Sequence, residues 1–332
     1  MKVWLPTIRA GTGADVYAER MAAGLERRGI QACVTWHNRC FELFPSLLGC
    51  VPLPPQTDII LANSWYGYAF RRKGIKLVIT VYHCVHDAAY APFRSLLQKI
   101  YHDTWIYFHE SRSLKSADRI VAISNYTAAS VKKVFTGCDP VVIYPGIDTG
   151  FFRPGQRARN DGKFRLLFVG TSSRRKGFDL LAPIMRRLGD GFSLSYTGHA
   201  PPGKHRGTDN IRGLGKLSKD ALLLAYQECD ALLFPTRFEG FGYVVCEAMA
   251  CGKPVITSDN SSLPELVRHD VTGILCKTDD IDAFVDAARL LAANPELAKR
   301  MGEAGRERVL QNFTLEKMTD AYIRLYEEVL SS

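Results

Sequence analysis

Two parallel α/β units joined at a hinge are the architecture this sequence predicts, and three observations predict it. Short, largely apolar runs alternate with helical stretches, the signature of a parallel sheet covered on both faces. The alternation breaks once, over residues 144–163 (YPGIDTGFFRPGQRARNDGK), where Gly, Pro and charge crowd together as in a linker, and then restarts. The 332 residues are enough for two ordinary domains.

The elements follow in order. KVWLP reads as the first strand, Gly11-Thr12-Gly13 as a loop, ADVYAERMAAGLERRG as a helix and IQACVTW as the second strand. Val16, Met21 and Leu25 recur at helical spacing, and Gly29 stops the helix. DIILANS, KLVITVYH and RIVAIS are further strands, and the longest helical stretch is expected from Phe93 to about Lys115. After the linker come FRLLFVG, a helix from about Phe178, FSLSYTG, a helix from about Lys219, DALLFP, a helix from about Phe241, and PVITS. NFTLEKMTDAYIRLYEEVL is an amphipathic closing helix. The first unit takes residues 1–147, the second 148–313, and the closing helix 314–332. A ligand of such a fold binds between the units, at the carboxyl ends of the strands.

With 46% apolar and 23% charged residues the chain has an ordinary globular composition. No apolar run approaches the ~20 residues that a bilayer span needs. The first residues, MKVWLPTIRAGTG, lack the apolar stretch and cleavage site of a signal peptide, so a cytoplasmic location is expected. The nine cysteines form no C-x-x-C pair and no regular framework, and read as reduced core thiols. A formal net charge of +9 suits an anionic partner such as a nucleotide or an anionic lipid head group, though solubility explains it as well. No nucleic-acid recognition motif accompanies the charge, so no nucleic acid is expected.

The most informative stretch is FPTRFEGFGYVVCEAMACGKPVITS, residues 234–258. A strand ends at Pro235, a loop carries Glu239 and Gly240, and a helix runs from about Phe241 to Cys251, where Gly252 stops it. Glu239 precedes the helix N-terminus, whose first N–H groups, those of Gly242 and Tyr243, can receive phosphate or sugar oxygens. Glu247 lies on the helix, about 12 Å further along. One carboxylate can then address the sugar end of a long ligand and the other its far end, each accepting paired hydrogen bonds from vicinal hydroxyls. The plain alternative is two solvated acids on a helix face.

The spacing and its setting, E-G-F-G and then E-A-M-A-C-G-K-P-V-I, resemble the glutamate pair of the retaining family-4 glycosyltransferases, and the resemblance covers nearly the whole chain. It implies the GT-B fold: two Rossmann-like domains facing across a cleft, with the closing helix crossing back to the first. The first domain would bind the acceptor and the second a UDP- or GDP-linked sugar. In that family the first glutamate contacts the donor sugar and the second holds the ribose hydroxyls. By resemblance those roles fall to Glu239 and Glu247, with Phe241, Gly242 and Tyr243 among the donor contacts. FVGTSSRRKGFDLL looks like the family's phosphate clamp, so Arg175 and Lys176 would neutralise the donor diphosphate beside a helix N-terminus. The family commonly has Gly-Arg at the strand end where this chain has Gly170-Thr171, and Arg174 or Arg175 would replace that charge.

Other segments carry the resemblance further. NIRGLGKLSKDALLLAYQECDALLFP looks like the family's base-binding strand and helix, with backbone near Gly213–Gly215 meeting the nucleobase and Asp230 structural. Gly11-Thr12-Gly13 resembles the glycine loop that admits donor and acceptor, which singles out Gly13, although a tight turn explains it about as well. KLVITVYHCVHD ends a strand at His83, which matches the family's histidine near the reacting sugar. His86 is its rival, because Asp87 beside it could orient the imidazole. No metal or other cofactor is expected. Asp280-Ile281-Asp282 mimics a metal-binding pair but precedes the helix AFVDAARLLAAN, where acids cap the first turn.

The expected reaction is hexosyl transfer with retention, to a glycan or lipid-linked saccharide, in cell-surface polysaccharide or lipopolysaccharide synthesis. GYAFRRKGIK gathers Arg71, Arg72, Lys73 and Lys76 beside Tyr66, Tyr68 and Phe70, and PFRSLLQKIYHDTWIYF adds aromatics. Together they suit peripheral binding to an anionic membrane surface; a solvated face over core aromatics is the alternative. A catalytically silent nucleotide-sugar-binding subunit of a synthase would share the second unit's features. An NAD-dependent dehydrogenase lacks support, since Gly11 and Gly13 are followed by Val16 rather than by a third glycine.

Overall fold

The computed structural model describes residues 1–155, 162–198 and 209–332, and the chain divides into one unit of residues 1–146 with 315–332 and another of 147–314. Residues 156–161 of the expected linker lie outside the described residues. Among the described residues no helix is long and apolar enough to cross a membrane.

In the first unit β1 (Lys2–Ile8), α1 (Gly13–Arg27), β2 (Gln31–His37), β3 (Ile59–Asn63), β4 (Lys76–Val81), α2 (Leu96–Tyr101), α3 (Tyr107–Ser116), β5 (Arg119–Ala122), α4 (Asn125–Val134) and β6 (Val141–Val142) follow one another. The strands form a parallel sheet in the order β2-β1-β3-β4-β5-β6. A sheet covered on both faces needs apolar residues at successive positions, and β1, β3 and β4 bury nearly every one.

The second unit runs β7 (Phe164–Phe168), α5 (Phe178–Leu188), β8 (Phe192–Tyr196), β9 (Ile211–Gly213), α6 (Lys219–Glu228), β10 (Ala231–Phe234), α7 (Tyr243–Ala250), β11 (Val255–Ser258), α8 (Leu263–Leu266), β12 (Gly273–Cys276), α9 (Ile281–Ala293) and α10 (Pro295–Asn312). Its parallel sheet has the order β12-β11-β10-β7-β8-β9. β7 and β10 are therefore neighbours, and the loops leaving their carboxyl ends start side by side. Asp280 accepts from the Ala283 amide at 3.1 Å and caps α9, while Asp282 pairs with Arg187 at 2.5 Å. Asp230 accepts from the Arg165 amide at 2.7 Å, a structural bond between β7 and the start of β10.

The closing helix, α11 (Leu315–Ser331), belongs to the first unit. Leu315, Met318, Thr319, Tyr322, Leu325, Tyr326 and Val329 form its buried stripe at helical spacing. The Tyr322 hydroxyl bonds Thr80 Oγ1 on β4 at 3.0 Å and also the Tyr17 hydroxyl on α1. Arg28, just after α1, grips Asp320 with two bonds of 2.7 and 2.8 Å.

Three expectations are revised. The stretch from Phe93 to Lys115 is not one regular α-helix: a π-type turn at His102–Ile106 separates α2 from α3, where Thr104 Oγ1 donates back to the Ile100 carbonyl at 2.7 Å. The cysteines are not all core thiols. Cys40 and Cys50 are exposed on short 3-10 turns between β2 and β3, whereas burial pushes Cys84, Cys229, Cys251 and Cys276 up to about 12. The basic–aromatic cluster of residues 66–76 is dispersed, because the turn Gly67–Phe70 folds Tyr66 and Phe70 into the core. Arg71 pairs with Asp118, and Arg72 is bound to the Gly49 and Val51 carbonyls, each at 2.9 Å.

Gly24 on α1 lets α11 approach, since a Cβ there would meet Thr319 Oγ1 at 2.2 Å. Gly24→Ala is expected to cost about 1–3 kcal/mol by overpacking, despite alanine's better helix propensity. Adding Thr319→Ala should recover most of that loss in urea unfolding.

Candidate active site

The second unit builds its site from the two adjacent loops after β7 and β10. The β7 loop reaches α5 through Gly177, which sits at φ 71° as the N-cap. A side chain there is excluded twice over: by the left-handed backbone, and by the Pro235 carbonyl oxygen, which a Cβ would approach to 1.9 Å. The contact brings the TSSRRKG loop directly onto the start of the β10 loop. The Arg237 amide donates to the Arg175 carbonyl at 2.8 Å, and Arg175 Nη1 donates to the Phe238 carbonyl at 3.0 Å. Arg237 also holds Asp179 on α5 with bonds of 2.8 and 3.0 Å.

This stitching places Lys176 Nζ on Glu239 Oε1 as a buried ion pair. Thr236 Oγ1 donates to the same carboxylate oxygen at 3.1 Å, and Arg175 Nη1 stands 4.0 Å from it. Between the alternatives Arg174 and Arg175, it is the Arg175 guanidinium that stands beside Glu239. Burial acts to raise the Glu239 pKa, but Lys176, Arg175 and the hydrogen bonds outweigh it and hold the carboxyl below its usual 4.5. For Lys176 burial lowers the ammonium's pKa while Glu239 raises it. The carboxylate stays depressed because positive charge and two donors converge on one of its oxygens.

The Glu239 backbone is fixed as well. Its amide donates to Ser261 Oγ at 3.0 Å, and Ser261 is held at φ 46°, a left-handed conformation unusual for a non-glycine residue. Ser262 Oγ donates to the Glu239 and Phe241 carbonyls at 3.2 and 2.8 Å. Gly242, at φ 108°, is the N-cap of α7 and brings no side-chain cap. Since Gly177 brings none to α5, two glycine-capped helix N-termini follow adjacent strands, a setting that favours anionic oxygens.

Glu247 sits one turn along α7, where its Oε2 accepts from the Tyr226 hydroxyl of α6 at 3.0 Å. Tyr226 is fully buried, and burial followed by the Glu247 charge raises its pKa well above 10. Gly215 takes φ 69°, and its carbonyl accepts from the Gly198 amide at 2.8 Å beside β9. Phe241 stands just before α7 with its ring turned away from solvent. The ring is buried against Tyr243 and Phe313, with centroids at 5.6 and 6.0 Å.

In the first unit, Gly13 and His83 lie near the carboxyl ends of β1 and β4. Gly13 opens α1, which Thr12 caps, and Asp15 closes the loop by accepting from the Gly11 amide at 2.8 Å. His83 is half-buried between Trp65 and Tyr90, with ring centroids 6.3 and 5.8 Å away. His86 is a different kind of residue. Its side chain is 7% exposed, and Nε2 lies 3.3 Å from Glu110 Oε2 and Nδ1 3.8 Å from Asp103 Oδ1. Asp87 does not orient it, because that carboxylate caps the Ala89 amide at 2.8 Å and binds Ser130. The acid nearest its ring is Glu110 on α3, fully buried, whose Oε1 accepts from Ser64 Oγ at 2.6 Å.

The sequence reading missed Thr236, Ser261, Tyr226 and Glu110. Thr236 stands in the loop already singled out, so its spacing to Glu239 was available; the others approach from distant segments. Among the described residues no three His, Cys, Asp or Glu side chains converge as a metal centre would need.

Comparison with known proteins gives this geometry a family. The model described as "Glycosyl transferases group 1" matches residues 152–308, and "Glycosyltransferase Family 4" matches residues 52–151. The chain belongs to glycosyltransferase family 4. Among curated relatives, glycogen synthase of Mycobacterium tuberculosis is 29% identical to this family-4 chain over 230 residues, covering 65% of the chain and 56% of that protein. The chain thus spans little more than half the length of the curated relatives it matches. Among solved structures, sucrose-phosphate synthase from Thermosynechococcus elongatus has a TM-score of 0.85 at 20% identity, covering 100% of this chain and 99% of that one. Anabaena HepE in complex with UDP-glucose has a TM-score of 0.76 at 16% identity, covering 99% and 100%. These structures establish the GT-B fold for the family-4 chain.

Two measurements probe the ion pair. Lys176→Met strands a buried carboxylate and should cost about 3–5 kcal/mol, most of which Lys176→Met with Glu239→Gln should restore. Because the folded pKa of Glu239 lies below the unfolded value of 4.5, its contribution to stability is complete above that value and lost as pH falls through the folded one. Urea unfolding from about pH 6 down to about pH 3 should therefore show an acid loss that Glu239→Gln reduces.

Proposed function

We propose that the chain transfers a hexose from a UDP- or GDP-linked donor, with retention at the anomeric carbon and without a metal, to a glycan or lipid-linked saccharide acceptor. The observation that carries the proposal is the Lys176–Glu239–Arg175 cluster set beside the glycine-capped N-termini of α5 and α7. In this reading Lys176, Arg175 and the two helix N-termini neutralise the donor diphosphate and then the charge that grows on it as the glycosidic bond breaks. Glu239, oriented by Thr236 and Lys176, accepts hydrogen bonds from the sugar hydroxyls. Glu247, braced by Tyr226, holds the ribose hydroxyls, and backbone near Gly215 meets the base. In the first unit, the loop of Gly13 admits donor and acceptor, and His83 serves the reacting sugar. HepE, whose structure is described with UDP-glucose, supports a nucleotide-sugar donor. The setting we assign is cell-surface polysaccharide or lipopolysaccharide synthesis.

Thermal shift against UDP-, GDP- and dTDP-sugars should single out one donor class, since a tight ligand stabilises the folded state. With that donor, Glu239→Ala should lower transfer by about 100-fold or more, measured at a temperature where circular dichroism shows the variant still folded. Glu247→Ala should raise the donor Kd by roughly 10- to 100-fold. A wild-type rate in Glu239→Ala would remove the assignment. A purified chain that binds donor yet neither hydrolyses nor transfers it would instead mark a silent nucleotide-sugar-binding subunit.

A further inference from the structure

An amphipathic helix is normally held by its apolar face, yet α2 buries none of its six residues. Leu96 and Leu97 are 73% and 79% exposed, and Ile100 is 55% exposed. What keeps α2 folded is local: Ser95 and Gln98 form a capping box, and the π-type turn carries the chain directly into α3. Beyond that turn Trp105 and Phe108 are also exposed.

A second segment extends this face. Leu43, Phe44 and Leu47, on and beside the 3-10 turns after β2, are each more than half exposed. The two segments touch: the Tyr101 hydroxyl donates to the Glu42 carbonyl at 3.3 Å, and Leu43 and Tyr101 line one shallow depression with Arg39, Cys40 and Glu42. Single exposed apolar residues are ordinary, but a group of this size from two adjoining segments marks an interaction surface.

We propose that this face, residues 43–47 with 96–108 of the first unit, docks the chain on an anionic lipid bilayer. Charge selects the occupant. The acids of the face are matched by its own cations: Glu42 lies 3.4 Å from Arg39, and Asp103 is bound to Arg94 at 2.6 Å. Lys99 on α2 and Arg112 on α3 add exposed positive charge, and Arg112 lies 5.5 Å over the Phe108 ring. Leucine, isoleucine and tryptophan interleaved with lysine and arginine suit a helix lying in the headgroup region, its apolar side chains entering the acyl boundary and its cations meeting phosphates. A second copy is a poorer match. Symmetric pairing would bring two copies of a face with surplus positive charge together. The surface differs from the basic run Arg71–Lys76, where Arg71 and Arg72 are engaged within the unit.

The proposal goes beyond the transfer reaction and is tested without it. The full chain is sedimented with vesicles of phosphatidylcholine mixed with phosphatidylglycerol and with vesicles of phosphatidylcholine alone. Binding is expected on the anionic vesicles at low salt and should weaken as salt rises. The pair Leu96→Glu and Leu97→Glu should raise the lipid concentration for half-binding roughly tenfold or more. Both positions are exposed, so the thermal unfolding of this variant should match the wild type. Lys99→Glu should reduce the preference for anionic vesicles. No binding by the wild type, or equal binding by the double variant, overturns the proposal. So does a wild-type dimer that the double variant converts to a monomer in light scattering, which would assign the face to a second copy.

Discussion

The second unit is organised around one buried ion pair, Lys176 on Glu239. Removing two charges from water is costly, and such a pair is tolerated only where geometry and further hydrogen bonds compensate. Here the compensation comes from Thr236 on the same carboxylate oxygen and from Arg175 nearby. All of it depends on the close approach of two loops, and that approach rests on Gly177, the residue with no Cβ to meet the Pro235 carbonyl. A single missing side chain thus allows two sequence segments about sixty positions apart to share one charge cluster.

The parallel sheet supplies the frame for that cluster. Adjacent strands β7 and β10 deliver their loops to the same edge, each loop leads into a helix whose N-cap is a glycine, and each helix turns its positive end toward that edge. Fixed basic side chains and oriented amides require little rearrangement as negative charge develops on a leaving group, which is the economy of a preorganised site. The second carboxylate, Glu247, is stationed separately by Tyr226, so the two glutamates are held by different neighbours and can serve different parts of a ligand.

In the first unit the same logic of covered faces has one conspicuous exception. β1, β3 and β4 are buried, α11 locks onto α1 and β4 through Tyr322, and His86 of the loop after β4 lies beside the buried Glu110. Close to these well-packed parts, α2 and the turns after β2 leave leucines, an isoleucine and aromatics in solvent. Packing within the unit does not account for them.

Much of this was legible in the chain itself. Parallel strands covered on both faces must be apolar at successive positions, so runs such as KLVITV declared the sheets. Glu239 and Glu247 could be placed before and on one helix because helix starts and turn residues are local signals, whereas Arg175 and Lys176 were singled out by resemblance to the family's phosphate clamp. Tertiary structure alone decided the partners. Tyr226 beneath Glu247, Ser261 behind Glu239 and Glu110 rather than Asp87 on His86 come from remote segments, and no local rule encodes which remote side chain a fold brings near. It also turned Phe241 inward, dispersed the cations of Arg71–Lys76 and left Leu96 and Leu97 outside. Burial is a property of what surrounds a residue, and only the folded chain determines that.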